Sequence, residues 1–228
     1  MKTLINTFIL LFISSIAISQ NNCSKFYPLN EGTKFQITVY DHKEKPSAII
    51  DYDVVNVRKS GGNKIGTINS VMTDGKGKQI TDTSFDVSCN GEVVSVDFKS
   101  LINPQIFEQF GNMDYEITGT NMEWPNELYV GQNLPDATMD MKISMSGINI
   151  NMSVKITDRK VIGKETITSP AGSFNCFVIT HSTDMKMGVS QRSTSKQWVT
   201  EKMGAIKSVN YDKNGKVTGS SLLTKFEG

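Results

Sequence analysis

Strict alternation of apolar and polar residues predicts two β-hairpins in the chain. Around Ser146-Gly147, a two-residue turn sets Met145 opposite Ile148, and apolar partners continue to face each other along both arms. The intervening polar residues share the other face, so one side of this hairpin is dry and the other is wet. A second turn signal, Asn90-Gly91, predicts the pairs Val87 with Val94, Phe85 with Val96 and Thr83 with Phe98.

Eight further stretches have strand-like patterns, and turn residues separate most of them. They are Lys34–Asp41, Ser47–Arg58, Lys64–Thr73, Val161–Thr168, Ser173–Ser182, Gln191–Thr200, Gly204–Tyr211 and Val217–Phe226. The apolar face switches near Val54-Val55, which predicts a β-bulge there. A loop of Lys213-Asn214-Gly215 sets Tyr211 opposite Val217.

One short helix is predicted near residues 103–110, with Asn103 as its cap and Gly111 as its stop. About a dozen short strands joined mostly by tight turns predict a mainly β fold, an antiparallel β-barrel or half-barrel. A two-sheet sandwich is the alternative. The loop-rich segment 119–135 is a candidate sub-boundary, which we interpret as a crossover within one domain.

Residues 1–19 have the pattern of a secretory signal peptide, with an apolar run at Leu4–Ile13 and small residues before the expected cleavage site. Their removal from 228 residues leaves 209, which we assign to a single β-rich domain over 20–228. We expect an exported, soluble protein, periplasmic or secreted, with no membrane span in the mature chain. Cys23 does not directly follow a small-residue box, so lipidation is not expected.

The charges of the mature chain balance. The full chain has 24 Lys and Arg against 23 Asp and Glu, and loss of Lys2 with the leader brings the formal charge to zero. No global electrostatic attraction therefore favours nucleic acid as a partner. Histidine is limited to His42 and His181, and no zinc-ligand spacing, phosphate loop or dinucleotide motif occurs. We expect no cofactor and no enzymatic activity.

Export would permit a disulfide bond, and the chain has three cysteines, Cys23, Cys89 and Cys176. Cys89 ends a predicted strand, and a bond to Cys23 would tie down the N-terminal segment. Cys176 lies within a run that is apolar on both faces, which is typical of a buried thiol. Three reduced cysteines are the alternative.

Three carboxylates form the candidate metal site. In the predicted hairpin register, Asp82, Asp86 and Asp97 lie about 7–8 Å apart on the wet face and could bind calcium with further oxygen ligands. Lys99 is predicted opposite Asp82 and would neutralise part of this cluster. An ordinary solvated surface is the alternative.

The dry face of the hairpin around Ser146-Gly147 is rich in methionine. Flexible thioethers fill irregular cores and also line pockets that accept varied apolar ligands. The candidate apolar-ligand residues are therefore Met139, Met141, Ile143, Met145, Ile148, Ile150 and Met152. Simple filling of the barrel interior is the alternative.

Several motifs taken together resemble the TapB-like family of exported bacterial β-proteins, which is related to a domain-of-unknown-function group. They are Asn22-Cys23-Ser24-Lys25-Phe26-Tyr27-Pro28, Glu31-Gly32-Thr33, Glu165 to Cys176, and Trp198 with Met203-Gly204-Ala205-Ile206-Lys207-Ser208. The resemblance implies a β-barrel-like fold in the cell envelope. It supplies no catalytic residues.

These observations favour an exported, non-enzymatic envelope protein that binds an apolar small molecule or an envelope protein. A purely structural or interaction module with a filled barrel is the second hypothesis. A metal-dependent hydrolase that uses the three aspartates is the third. The sequence indicates no oligomeric state.

Overall fold

A computed structural model describes residue 23 and residues 25–96, 114–145 and 148–228, and every regular element in this part of the chain is a β-strand. The strands are β1 (Lys34–Asp41), β2 (Pro46–Ser60), β3 (Asn63–Asp74), β4 (Gln79–Cys89), β5 (Val93–Val96), β6 (Asp114–Thr120), β7 (Met122–Pro125), β8 (Ala137–Met145), β9 (Ile148–Ser169), β10 (Gly172–Met187), β11 (Val189–Thr200), β12 (Gly204–Asp212) and β13 (Val217–Glu227).

The thirteen strands form one antiparallel sheet in the order β6-β8-β9-β10-β11-β12-β13-β1-β2-β3-β4-β5-β7. The two edge strands, β6 and β7, are consecutive in the chain and are joined by the single residue Asn121. The sheet must therefore curl until its edges approach each other, which gives a nearly closed barrel. This confirms the predicted barrel over the sandwich, whereas the predicted helix near residues 103–110 lies outside the described residues.

Three hairpin turns with a common design lie side by side at one end of the barrel. They join β1 to β2, β3 to β4 and β12 to β13, and each begins with an aspartate, Asp41, Asp74 or Asp212. In each turn, the aspartate Oδ1 accepts hydrogen bonds of 2.8 and 2.9 Å from the backbone N–H groups two and four residues later. The residue three positions after the aspartate has positive φ, at Glu44, Gly77 and Gly215.

Most predicted registers agree with the structure. The β8–β9 pairs run from Met145 with Ile148 to Met139 with Val154, as the alternation predicts. Tyr211 pairs with Val217 across the last hairpin. The β2–β3 ladder shifts register between Val54 and Asn56, which confirms the predicted bulge.

The predicted register at Asn90-Gly91 is wrong by two residues. Val87 pairs with Val96, and Cys89 pairs with Val94, so the turn residues are Gly91 and Glu92. The physical reason is the Asn90 side chain, whose Oδ1 accepts hydrogen bonds from the backbone N–H groups of Glu92 and Val93. A shift of two preserves the inward face, and the pairing predicted for Phe98 lies outside the described residues.

Strand β9 is also longer than predicted, because Val161–Thr168 continues the second arm of the β8–β9 hairpin instead of forming a separate strand. The β9–β10 ladder shifts register opposite Thr180 to Ser182, and Asp158 has φ of 56° at this point. A bulge of this kind bends a strand without ending it. It also changes which side chains face inward beyond Asp158.

The N-terminal segment before β1 closes one end of the barrel. Phe26 and Leu29 are buried there, and each belongs to a different core cluster of the barrel. A disulfide bond between Cys23 and Cys89 ties the segment to the β4–β5 hairpin. The backbone N–H of Lys25 donates to Asn126 Oδ1, and this bond fixes the segment to the chain that follows β7.

Candidate functional site

The interior of the barrel contains a cavity of about 540 Å³ that is partly open to solvent. This volume lies within the range of about 300–1,000 Å³ that is typical of small-molecule sites. Residues of nine of the thirteen strands line it, so the cavity depends on most of the sheet; these strands are β2, β3, β4, β5, β7, β9, β10, β11 and β12. Its apolar lining includes Ile50, Tyr52, Met72, Phe85, Val96 and Ile179.

The closed end of the cavity is built from aromatic side chains. Phe26 and Tyr27 of the N-terminal segment line it together with Trp124 of β7. The rings of Phe26 and Phe177 make an edge-to-face contact with centroids 6.0 Å apart. Burial raises the pKa of Tyr27 far above its ordinary value and raises the pKa of Tyr52 to about 12, so both phenols are neutral at physiological pH.

The opposite end of the cavity approaches the three aspartate turns. Met72, Thr81 and Asn210 line the cavity, and each is two residues from the turn at the end of its strand, a distance of about 7 Å. Six exposed lysines occupy these turns, and we call them the basic rim: Lys43, Lys45, Lys76, Lys78, Lys213 and Lys216. Four carboxylates accompany them, those of Asp41, Glu44, Asp74 and Asp212.

Arg159 of β9 is the charged side chain in the described lining of the cavity, where it is 4% exposed. Its Nη1 donates a hydrogen bond to the backbone carbonyl of Pro135. Burial lowers the pKa of Arg159 to about 10, and the charges of Asp136 and Glu123 oppose this change. The guanidinium is therefore protonated at neutral pH.

His181 of β10 lines the same cavity. Burial and, to a smaller extent, the charge of Arg159 lower its pKa to about 4. The imidazole is therefore neutral at physiological pH, and Arg159 carries the positive charge of the interior. A neutral imidazole can donate one hydrogen bond and accept another.

The predicted methionine face occupies a different place from the cavity. Met139, Met141, Ile143 and Met152 are buried in one core cluster, against which Ile150 packs. None of these five lines the large cavity, although Met141 and Met152 border a separate polar surface groove. The side chains of Met145 and Ile148 are outside the described set.

The structure does not bring the candidate metal ligands together within the described residues. Asp86 accepts a hydrogen bond from Thr67 Oγ1 and forms a 2.7 Å ion pair with Arg58. Asp82 lies four residues away on the same strand with an exposed side chain, and Asp97 is outside the described residues. Across the described chain, no three His, Cys, Asp or Glu side chains are grouped closely enough to hold a metal ion.

Two of the three cysteines form a disulfide bond, and the third is a buried free thiol. Cys23 and Cys89 form the disulfide, and Cys176 is 1% exposed. Burial raises the pKa of the Cys176 thiol to about 11, so it is protonated at neutral pH. A protonated, buried thiol is a poor nucleophile.

Sequence reasoning missed Arg159 and Trp124 as lining residues. In an unbroken strand, Arg159 would share a face with Lys155 and Thr157 on the wet side of the hairpin. The bulge at Asp158 turns it inward instead. A single arginine among polar residues gives no indication in the sequence that its side chain turns into the barrel.

Comparison with known proteins places the fold. A Bacteroides fragilis protein assigned as exported, with a YmcC-like fold, is 19% identical, with a TM-score of 0.72 over 90% of this chain and 100% of its own. A Parabacteroides distasonis protein assigned as a lipoprotein is 22% identical, with a TM-score of 0.70 over the same shares. These two likenesses show a shared fold.

No functionally curated protein is significantly similar to the chain. No helix in the described residues is long and apolar enough to cross a membrane. The DUF3108-like family matches residues 30–223, which is most of the chain. The resemblance seen in the sequence is thus confirmed as far as a domain-of-unknown-function family, whereas the TapB-like name is not supported. The chain belongs to the DUF3108-like family.

Proposed function

We propose that this chain is an exported, non-enzymatic protein of the bacterial envelope that binds an apolar or amphiphilic small molecule inside its barrel. The observation that carries the proposal is the cavity of about 540 Å³ with a largely apolar lining. A thirteen-stranded barrel is wider than the eight-stranded barrels that side chains fill, and the space inside it is large enough for a small molecule, which supports the proposal.

The architecture of the cavity supports this proposal. One end is covered by Phe26 and Tyr27 of the N-terminal segment, which we call the aromatic plug, and the disulfide bond fixes this segment to the barrel. The other end approaches turns in which backbone hydrogen bonds to Asp41, Asp74 and Asp212 fix the loop conformation. An apolar ligand entering between these turns would exchange water for Ile50, Met72 and Phe85, which is favourable in proportion to the area buried.

Export and the state of Cys23 belong to the same proposal. The leader pattern and the B. fragilis relative, which is assigned as exported, support passage out of the cytoplasm. The P. distasonis relative is assigned as a lipoprotein. We propose that Cys23 of this chain is instead held in the bond to Cys89, because a sulfur in a disulfide cannot also form a lipid thioether. The intact mass of the mature protein, measured before and after reduction, distinguishes a Cys23 in the disulfide from a Cys23 that carries a lipid.

The ligand is tested on protein purified from its native envelope without added lipid. Denaturing extraction followed by mass spectrometry should release a hydrophobic molecule in stoichiometric amount. Thr81→Phe places a ring in the lining of the cavity and should remove the molecule. Asp82→Phe, which adds the same ring to the exposed side of the same strand, should retain it. Wild-type protein that is repeatedly empty would contradict the proposal.

A protein partner is the second candidate, and a patch of exposed apolar side chains favours it. Tyr129 and Val130 are exposed, and the hydrogen bond from Gly131 N to Val161 O brings them beside the exposed Ile162. Patches of this kind mark contact surfaces when they are contiguous. Tyr129→Ser with Ile162→Ser should abolish capture of a stoichiometric partner from cross-linked envelopes, and unchanged capture would remove this candidate.

A further inference from the structure

The buried guanidinium of Arg159 is under-satisfied by the residues around it. Arginine has five N–H donors, and the hydrogen bond recorded for this side chain goes to one backbone carbonyl, that of Pro135. None of the ion pairs between described residues includes Arg159. A charge taken out of water is costly unless an opposite charge or several hydrogen bonds compensate for it.

A second buried side chain in the same region, that of Trp124, has an N–H donor without an acceptor. Trp124 Nε1 is the one fully buried side-chain nitrogen or oxygen atom without a hydrogen-bond partner in the described part of the chain. Trp124 lines the cavity and packs in the cluster that contains Leu134 and Val161. Both of these residues flank Arg159, because Leu134 N donates to Arg159 O and Val161 is two residues further along β9.

The described lining of the cavity contains no carboxylate. Asp136 and Glu123 influence Arg159 from outside the lining, and His181 and the two tyrosines of the cavity are neutral. The interior therefore combines a mainly apolar lining and several neutral polar side chains with one permanent positive charge, and the Arg159 guanidinium has N–H donors beyond the one that Pro135 accepts. A group that brings negative charge and oxygen acceptors would complement both features.

We propose that the cavity selects amphiphiles with an anionic oxygen headgroup, a carboxylate or a phosphate, and that Arg159 is the specificity-determining residue. This inference rests on the proposed function and adds the ligand's chemical class. The headgroup lies against Arg159 on β9, and the apolar chain occupies the space lined by Ile50, Met72 and Phe85. The basic rim attracts such a ligand to the end of the barrel that approaches solvent.

Matched probes with one chain length test the inference. Dodecanoate, dodecyl phosphate, dodecanol and dodecyltrimethylammonium are compared by displacement of the uncharged fluorophore phenylnaphthylamine from the mature protein. We expect the wild type to bind the two anions about tenfold or more tightly than the alcohol, and the cation most weakly. Comparison of the carboxylate with the phosphate shows which headgroup the site prefers.

Three variants assign the preference to one residue. Arg159→Gln should reduce the affinity for the anions to that for dodecanol, whereas Arg159→Lys should keep a preference for anions. Lys160→Gln removes the same charge from the outward-facing neighbour, which is exposed, and should behave like the wild type. Thermal melting verifies that each variant is folded. The comparison of the anions with dodecanol on the wild-type protein tests the headgroup preference even if a variant does not fold.

The outcomes separate this inference from the proposed function. Equal binding of dodecanoate and dodecanol by the wild type would overturn the headgroup inference and leave an apolar binding site. Preference for anions that survives Arg159→Gln would overturn the role of Arg159. Failure of all four probes and of the fluorophore to bind would overturn the proposed function itself.

Discussion

Removal of the Cys23–Cys89 disulfide should destabilise the protein by a predictable amount. The bond joins residues 66 apart in sequence, and closure of a loop of this length in the unfolded chain corresponds to about 4 kcal/mol. The same bond fixes the plug that carries Phe26 and Tyr27. We therefore expect Cys23→Ser with Cys89→Ser to lower the guanidinium unfolding midpoint by about 1 M and to weaken ligand retention.

The assay is equilibrium unfolding followed by tryptophan fluorescence, with and without dithiothreitol. Reductant should shift the wild type to the midpoint of the double variant and should leave the double variant unchanged. Cys176→Ala is the control, because it removes a thiol that forms no disulfide and should keep the response to reductant. A wild type whose midpoint is insensitive to full reduction would refute the reasoning.

Two further predictions concern the barrel wall. Ile68→Ala removes a core side chain that is 0% exposed and should lower the free energy of unfolding, measured by chemical denaturation, by about 2–5 kcal/mol. Val55→Ala at the exposed bulge is the control and should change stability by less than about 1 kcal/mol. Similar losses at both positions would contradict the assigned core. For His181, the folded pKa of about 4 lies below the value of 6.5 for an exposed histidine, so the unfolded chain binds more protons between these pH values. Stability should be complete above pH 6.5 and should fall as the pH drops towards 4, by up to about 3 kcal/mol. His181→Asn should remove this slope and His42→Asn in the exposed first turn should keep it; an unchanged slope in His181→Asn would contradict the assignment.

Regions where both arms of a hairpin obey the same pattern were predictable from the sequence. The β8–β9 register follows from apolar positions that match on each side of the turn. At β4–β5 the apolar pattern admits two registers that differ by two residues, because both keep the same side chains inward. The Asn90 side chain decides between them through its hydrogen bonds to Glu92 N and Val93 N, which periodicity does not contain.

The cavity could not be predicted because its lining is distributed over nine strands. No local segment contributes more than a few side chains, and their proximity depends on the curl of the whole sheet. Arg159 adds a second obstacle, since its inward direction depends on the bulge at Asp158. The methionine face, by contrast, is visible as a local pattern, but the structure places its four buried members in a packed cluster.

The position of a bound ligand tests the central claim most directly. A crystal of the mature protein with bromododecanoic acid, brominated at the chain end, locates the bromine by anomalous diffraction. We predict a single bromine peak inside the barrel, between Ile50, Met72 and Phe85, with the carboxylate at Arg159. A peak at the cluster of Met139 and Met152, or bromine only on the outer surface, would contradict the account.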